Sequence, residues 1–196
     1  MNYLAHLYLA KPTADSHFGN LLGDFGGRRH IDQLPITVVN ALDNHYLVDK
    51  FTDAHPLVKE AKQYFAPKRR RFAGVAVDVV FDHFLIQHWH TFNQRPLTDF
   101  KQTSYGLLAK RIPIMPMRMQ RVVTSMTEND WFKEYETLDG VGLALDNIAA
   151  RIRFTNTFTG AVEDITRYYS ELDAIFLAFF PELIKHVNQQ SLEGES

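Results

Sequence analysis

Apolar residues recur at three- and four-residue spacing along nearly the whole chain, which is the period of an amphipathic helix, and few stretches alternate as strands do. A short apolar helix is predicted over Met1 to Ala10. A second runs through Leu21, Leu22 and Phe25, with Thr13 or Asp15 as its cap and Gly26-Gly27 as its end. A longer helix follows Leu34-Pro35, from Thr37 through Phe51, until Asp53-Ala54-His55-Pro56 breaks it. Pro56 opens the next, because proline suits only the first helical turn, and Pro67 closes it.

The segment from Gly74 to Phe92 contains neither proline nor an internal glycine. Its first half, Val75 to Asp82, also alternates like a strand, but the total length favours a buried helix. Thr98 is the predicted cap of a helix containing Phe100, Tyr105, Leu107 and Leu108, which Pro113 and Pro116 interrupt. Further helices are predicted over Gln120 to Met126, Trp131 to Leu138, Asp139 to Phe154 and Gly160 to Leu177, with Pro181 starting a last short one. These patterns describe an all-α protein, one globular domain over residues 1–190 with about eight to ten helices, followed by a disordered tail over Ser191 to Ser196.

Composition narrows the chemistry. With 196 residues, 45% apolar and 22% charged, the chain can bury its own core. The absence of cysteine removes disulfides, zinc thiolates, iron–sulfur clusters and thiol nucleophiles together, so a metal must be held by His, Asp, Glu, Asn or water. A formal charge of -2 argues against a protein that coats nucleic acid. No window approaches the roughly 20 apolar residues that span a bilayer, and the N-terminus has neither a basic leader nor a cleavage site, so the cytoplasm is the expected location.

Acidic residues four apart share a helix face. Asn20 with Asp24, His45 with Asp49 and Asp53, and Asp78 with Asp82 all have this spacing, and His83 follows the last. Carboxylates on a buried apolar helix cost several kcal/mol each unless protonated, paired or bound to a cation. Arg151 and Arg153 are candidate structural partners. The repetition of the pattern beside histidines favours a divalent metal such as Mn, Mg or Fe over a closed zinc site. On spacing alone His6 reads as a core histidine, His17, His30 and His186 as surface residues, and His88 and His90 as ordinary helix residues. His55 either caps a helix or faces the site. The basic residues Arg28, Arg29, Lys68, Arg69, Arg70 and Arg71 form either a solvated face or a docking patch for an acidic partner or phosphate.

Four ordered motifs resemble the bacterial acyl-carrier-protein phosphodiesterase family: Met1-Asn2-Tyr3-Leu4-Ala5-His6-Leu7, Gly19-Asn20-Leu21-Leu22-Gly23-Asp24-Phe25, His45 and Asp49 with Phe51-Thr52-Asp53-Ala54-His55-Pro56, and Asp78-Val79-Val80-Phe81-Asp82-His83-Phe84-Leu85. The resemblance implies a helical fold related to the HD-type metal-dependent phosphohydrolases. It also implies hydrolysis of the diester between 4′-phosphopantetheine and the serine of holo-acyl carrier protein. Asp82-His83 reverses the order of an HD dipeptide, so ligand roles do not transfer from that superfamily by position. On this footing Asp24, His45, Asp78 and Asp82 are the expected metal ligands, with Mn or Mg the expected ion and Fe a third candidate. Asn20, Asp49 and His83 would orient water or substrate, and His6 joins them through its motif alone. The basic patches would steer the acidic carrier protein. Two alternatives remain at this point: an HD-type phosphohydrolase of a small phosphoester or nucleotide, and a non-catalytic helical binding module.

Overall fold

The structure is a computed structural model that describes residues 1–194, apart from the side chain of His30. Its regular elements are all helical among the described residues. In order they are α1 (Tyr3–Leu9), α2 (Ala14–Leu22), α3 (Ile36–Ala54), α4 (Pro56–Ala61), α5 (Ala73–Gln87), α6 (Trp89–Phe92), α7 (Leu97–Ala109), α8 (Met117–Glu128), α9 (Trp131–Glu134), α10 (Leu138–Arg151), α11 (Val162–Arg167) and α12 (Tyr169–Gln190). Among the described residues twelve α-helices replace the expected eight to ten, in part because α6 and α9 are single turns that break off from longer apolar patterns.

Helix α2 lies along α3, and α1 rests on both α2 and α5. The α2–α3 approach is close because Gly19 has no side chain: a Cβ there would stand 2.4 Å from the Val38 carbonyl oxygen. The apolar faces of α1, α3, α5 and α12 meet in one core that includes Leu4, Leu42, Val80, Phe81, Phe84 and Phe176.

Several boundaries follow the sequence. Thr13 caps α2 by accepting from the Ser16 amide, Gly26 turns left-handed after the helical turn that extends it, and Pro56 opens α4. His55 caps α4 through its Nδ1, which accepts from the Leu57 amide. The Gly74 to Phe92 pattern is helical but breaks at His88, whose ring pairs with Asp173 at 2.6 Å.

Other boundaries differ. Thr98 lies within α7 and Pro96 precedes its first turn, so Thr98 is not the cap. Pro181 does not start a helix but lies inside α12. A mid-helix proline costs about 3 kcal/mol. The buried face that continues across it, from Leu172 and Phe176 to Leu183 and Val187, offsets that loss. Part of the expected disordered tail falls outside the described residues, while the Glu193 carboxylate accepts a hydrogen bond from Asn20 at 2.9 Å.

Candidate metal centre

The acidic and imidazole groups converge where α1, α3 and α5 meet. Asp82 is fully buried in α5, and its two oxygens accept the Leu4 and Ala5 amides at 2.9 Å each. Burial pushes its pKa up to about 7. This carboxylate ties the first turn of α1 to α5, and so sets the position of His6, the residue that follows Ala5.

The buried α-ammonium of Met1 lies 3.2 Å from Asp49 Oδ1 and 3.2 Å from Asp78 Oδ1. Burial disfavours its charge, but Asp78 and Asp49 outweigh that and raise its pKa to about 10. Asp78 and Asp82 are therefore compensated by this ammonium and by backbone amides. Arg151 and Arg153, the candidate partners, pair with neither carboxylate among the described residues.

His45 is fixed from behind, its Nδ1–H donating to the Asn20 carbonyl at 2.8 Å. Its Nε2 then faces Asp49 Oδ2 at 3.1 Å. The Asn20 side chain is itself held, donating to the Ser16 carbonyl and accepting from Asn44. Gly23 closes over the imidazole so tightly that a Cβ there would lie 2.0 Å from His45 Cδ2. Burial opposes a charge on His45, yet the hydrogen bond and charge of Asp49 outweigh it and raise the pKa. For Asp49, burial is likewise overcome: His45, His6 and the Met1 ammonium hold its carboxyl far below the usual range.

His6 stacks on His45 with ring centres 4.1 Å apart and planes 20° from parallel. Its Nε2 is 3.2 Å from Asp49 Oδ1, but the alignment makes no hydrogen bond, and neither ring nitrogen has a partner although both are buried. Leaving a buried polar atom unsatisfied costs about 1–3 kcal/mol. Burial lowers the His6 pKa to about 3, keeping the imidazole neutral, which is the form that ligates metals. One ligand atom each from His6, His45 and Asp49 lies within 4.8 Å of the other two. The trio can hold a metal ion.

The family described as acyl carrier protein phosphodiesterase matches residues 1–183. The chain belongs to the acyl carrier protein phosphodiesterase family. Proteins of that name from Enterobacter sp. (strain 638), Serratia proteamaculans (strain 568) and Yersinia pestis are each 32% identical over 193 residues, which is 98% of this chain and 100% of each relative. No solved structure matches the chain.

Against this acyl carrier protein phosphodiesterase background the remaining sequence candidates separate. Asp24 stands at the exposed rim beside the trio, and its charge acts on His45. Asp53 turns away to Lys62 at 2.8 Å. His83 does not join the trio: its Nδ1 meets the Tyr135 carbonyl at 2.7 Å and its Nε2 the Tyr169 hydroxyl at 2.9 Å. His17, expected at the surface, is buried between the Lys11 carbonyl and Ser104. His186 stacks on Phe51 at 4.4 Å, and the side chain of His30 lies outside those described.

The basic run also divides. Arg69 is buried and paired with Asp164 at 3.3 Å and Glu163 at 2.9 Å, so it is a structural cation and no docking residue. Lys68, Arg70 and Arg71 are exposed, as are Arg28 and Arg29. Arg28 lies over the Tyr46 ring at 4.7 Å. The Met1 amine had no sequence signal, since every chain has one. The family motif pointed to His6, whereas its helical spacing did not. No helix among the described residues is long and apolar enough to cross a membrane.

Proposed function

We propose that this protein hydrolyses the phosphodiester joining 4′-phosphopantetheine to the serine of holo-acyl carrier protein, using a divalent ion held by His6, His45 and Asp49. The observation that carries this reading is the buried His6 ring, with no hydrogen-bond partner on either nitrogen, stacked beside His45 and facing the same carboxylate. A helical binding module has no need of such a ring. Two imidazoles favour Mn or Fe over Mg, which takes oxygen ligands. Asp24 and Asp78 border the trio and would extend its oxygen donors.

A divalent ion at this position supplies Lewis-acid polarisation of a phosphoryl oxygen and makes water more acidic. The chain's own residues do the positioning. Asp49 presents one oxygen toward each imidazole. The Asn20 carbonyl fixes which His45 nitrogen points inward, so Asn20 is a positioning residue. Asp82, whose oxygens are both engaged by α1 amides, anchors His6 and is not a ligand in this account. His83 supports α5 against Tyr135 and Tyr169.

Exposed Arg28 and Arg29 beside Asp24 would steer the acidic carrier protein, with Lys68, Arg70 and Arg71 as a more distant basic surface. The reading puts the enzyme in the cytoplasm with its substrate. It is tested by following conversion of holo to apo carrier protein on a mobility gel: conversion should require Mn, stop with chelator and be lost in Asp49→Ala.

A further inference from the structure

A cleft of about 280 Å³ opens beside the centre, between the start of α1 and one face of α10. Asn2 and Tyr3 form one wall. Since Met1 binds Asp49 and Asp78, and successive Cα atoms are about 3.8 Å apart, the cleft begins within about 8 Å of those carboxylates. The opposite wall is the stripe Ala144, Asn147, Ile148 and Arg151, spaced so that they share one face of α10. Trp131, Glu134 and Tyr135 complete it.

The lining combines flat aromatic surface with amide groups, one cation, Arg151, and one carboxylate, Glu134. Tyr135 is held by Asn2, whose amide donates to its hydroxyl at 3.4 Å. The Tyr3 hydroxyl, the Trp131 indole N–H, the Asn147 amide and the Arg151 guanidinium make no hydrogen bond or ion pair among the described residues. Larger cavities, among them one of about 450 Å³ beside Tyr8, Asn44 and Glu193 and one of about 460 Å³ beside Phe18 and Met115, share no residue with this cleft or with the trio.

We propose that this cleft seats the pantetheine arm of the substrate, a reading that rests on the phosphodiesterase function above. That arm is a narrow neutral chain with two amides, a hydroxyl and a geminal dimethyl group, ending in a thiol. Tyr3, Trp131 and Tyr135 offer apolar faces to its methyl groups and methylenes. The free polar groups of Asn147 and Trp131 answer its amides, and Arg151 answers a phosphoryl oxygen where the arm meets the metal centre. The carrier protein's body would stay outside, on the exposed rim.

The test uses free pantetheine, which carries no phosphate and needs no metal. Titrated into the purified protein and followed by ligand-observed NMR, it should bind, and Ala144→Trp, which fills the cleft from α10, should weaken binding about tenfold or more. Binding of Mn alone to that variant should match the native protein, which also reports that it has folded. Should Ala144→Trp fail to fold, Asn147→Ala with Trp131→Ala replaces it, with the same expected weakening. With holo carrier protein the variants should raise KM more than they lower kcat. No pantetheine binding to the native protein, or binding that the variants leave intact, overturns the assignment. Native protein that binds pantetheine in the cleft but does not cleave holo carrier protein would keep the cleft and remove the phosphodiesterase reading. Cleavage with unchanged KM in the variants would do the reverse.

Discussion

His6 and His45 stack at 4.1 Å and approach opposite oxygens of Asp49, His6 Nε2 at 3.2 Å from Oδ1 and His45 Nε2 at 3.1 Å from Oδ2. Only His45 has a hydrogen bond holding its far nitrogen. The two rings should therefore respond differently to substitution. His6→Ala removes a ring that satisfies none of its own polar atoms but is fully buried, so Mn affinity should fall about 100-fold or more, with a stability loss of about 2–4 kcal/mol from the cavity it leaves. A large drop in melting temperature with unchanged Mn titration would contradict a ligand role.

Gly23→Ala tests the packing on His45. A Cβ there would meet Cδ2 at 2.0 Å, and the ring cannot simply move aside without losing the Asn20 carbonyl. Mn affinity should fall about tenfold or more, as it does when groups orienting a ligand are disturbed. Calorimetric titration of the variant checks this, and native affinity would mean the ring relaxes freely.

Asp82→Asn should destabilise the protein rather than abolish metal binding outright. An amide in place of the carboxylate has one oxygen and would turn an NH2 toward either the Leu4 or the Ala5 N–H. The expected loss is about 1–3 kcal/mol, read by denaturant unfolding. Native stability with complete loss of Mn would instead return Asp82 to the ligand set.

Much of this arrangement was legible in the sequence, and the rest has physical reasons for having been hidden. The i, i+4 spacing placed His45 and Asp49 on one face, and the length of the Gly74 to Phe92 pattern predicted a helix. Spacing could not tell which carboxylates would face a common centre. Asp82 spends both oxygens on α1 amides, and Asp53 leaves for Lys62, because helix packing rather than periodicity sets the direction of each face. The basic run read as one patch, but Arg69 turns inward to meet Asp164, whose place in the fold is nearly a hundred residues away in sequence.

That inward turn separates two roles for arginine. Arg69→Ala leaves buried Asp164 without its cation and should cost about 3 kcal/mol of stability without changing KM for the carrier protein. Arg28→Glu, at the exposed rim, should raise KM at low salt with stability unchanged. Unfolding curves and salt-dependent kinetics of the two variants check the division, and the opposite pattern would reverse it.

His17 sets an acid limit on stability. Burial lowers its pKa from 6.5 to about 4, so between those values the unfolded chain holds a proton that the native one does not. Its contribution is fully present above 6.5 and is lost as pH falls toward 4, amounting to about 3 kcal/mol. Stability of the native protein should therefore decline more steeply than that of His17→Gln over this range. Parallel declines would show that His17 titrates alike in both states.

The central claim is metal-dependent cleavage of the prosthetic group, and intact mass spectrometry of holo-acyl carrier protein incubated with the purified protein and Mn, with and without chelator, reads it most directly. The carrier should lose the mass of phosphopantetheine with Mn and keep it with chelator or with His45→Ala. An unchanged mass in the presence of bound Mn, or a loss that chelator does not prevent, would contradict the account.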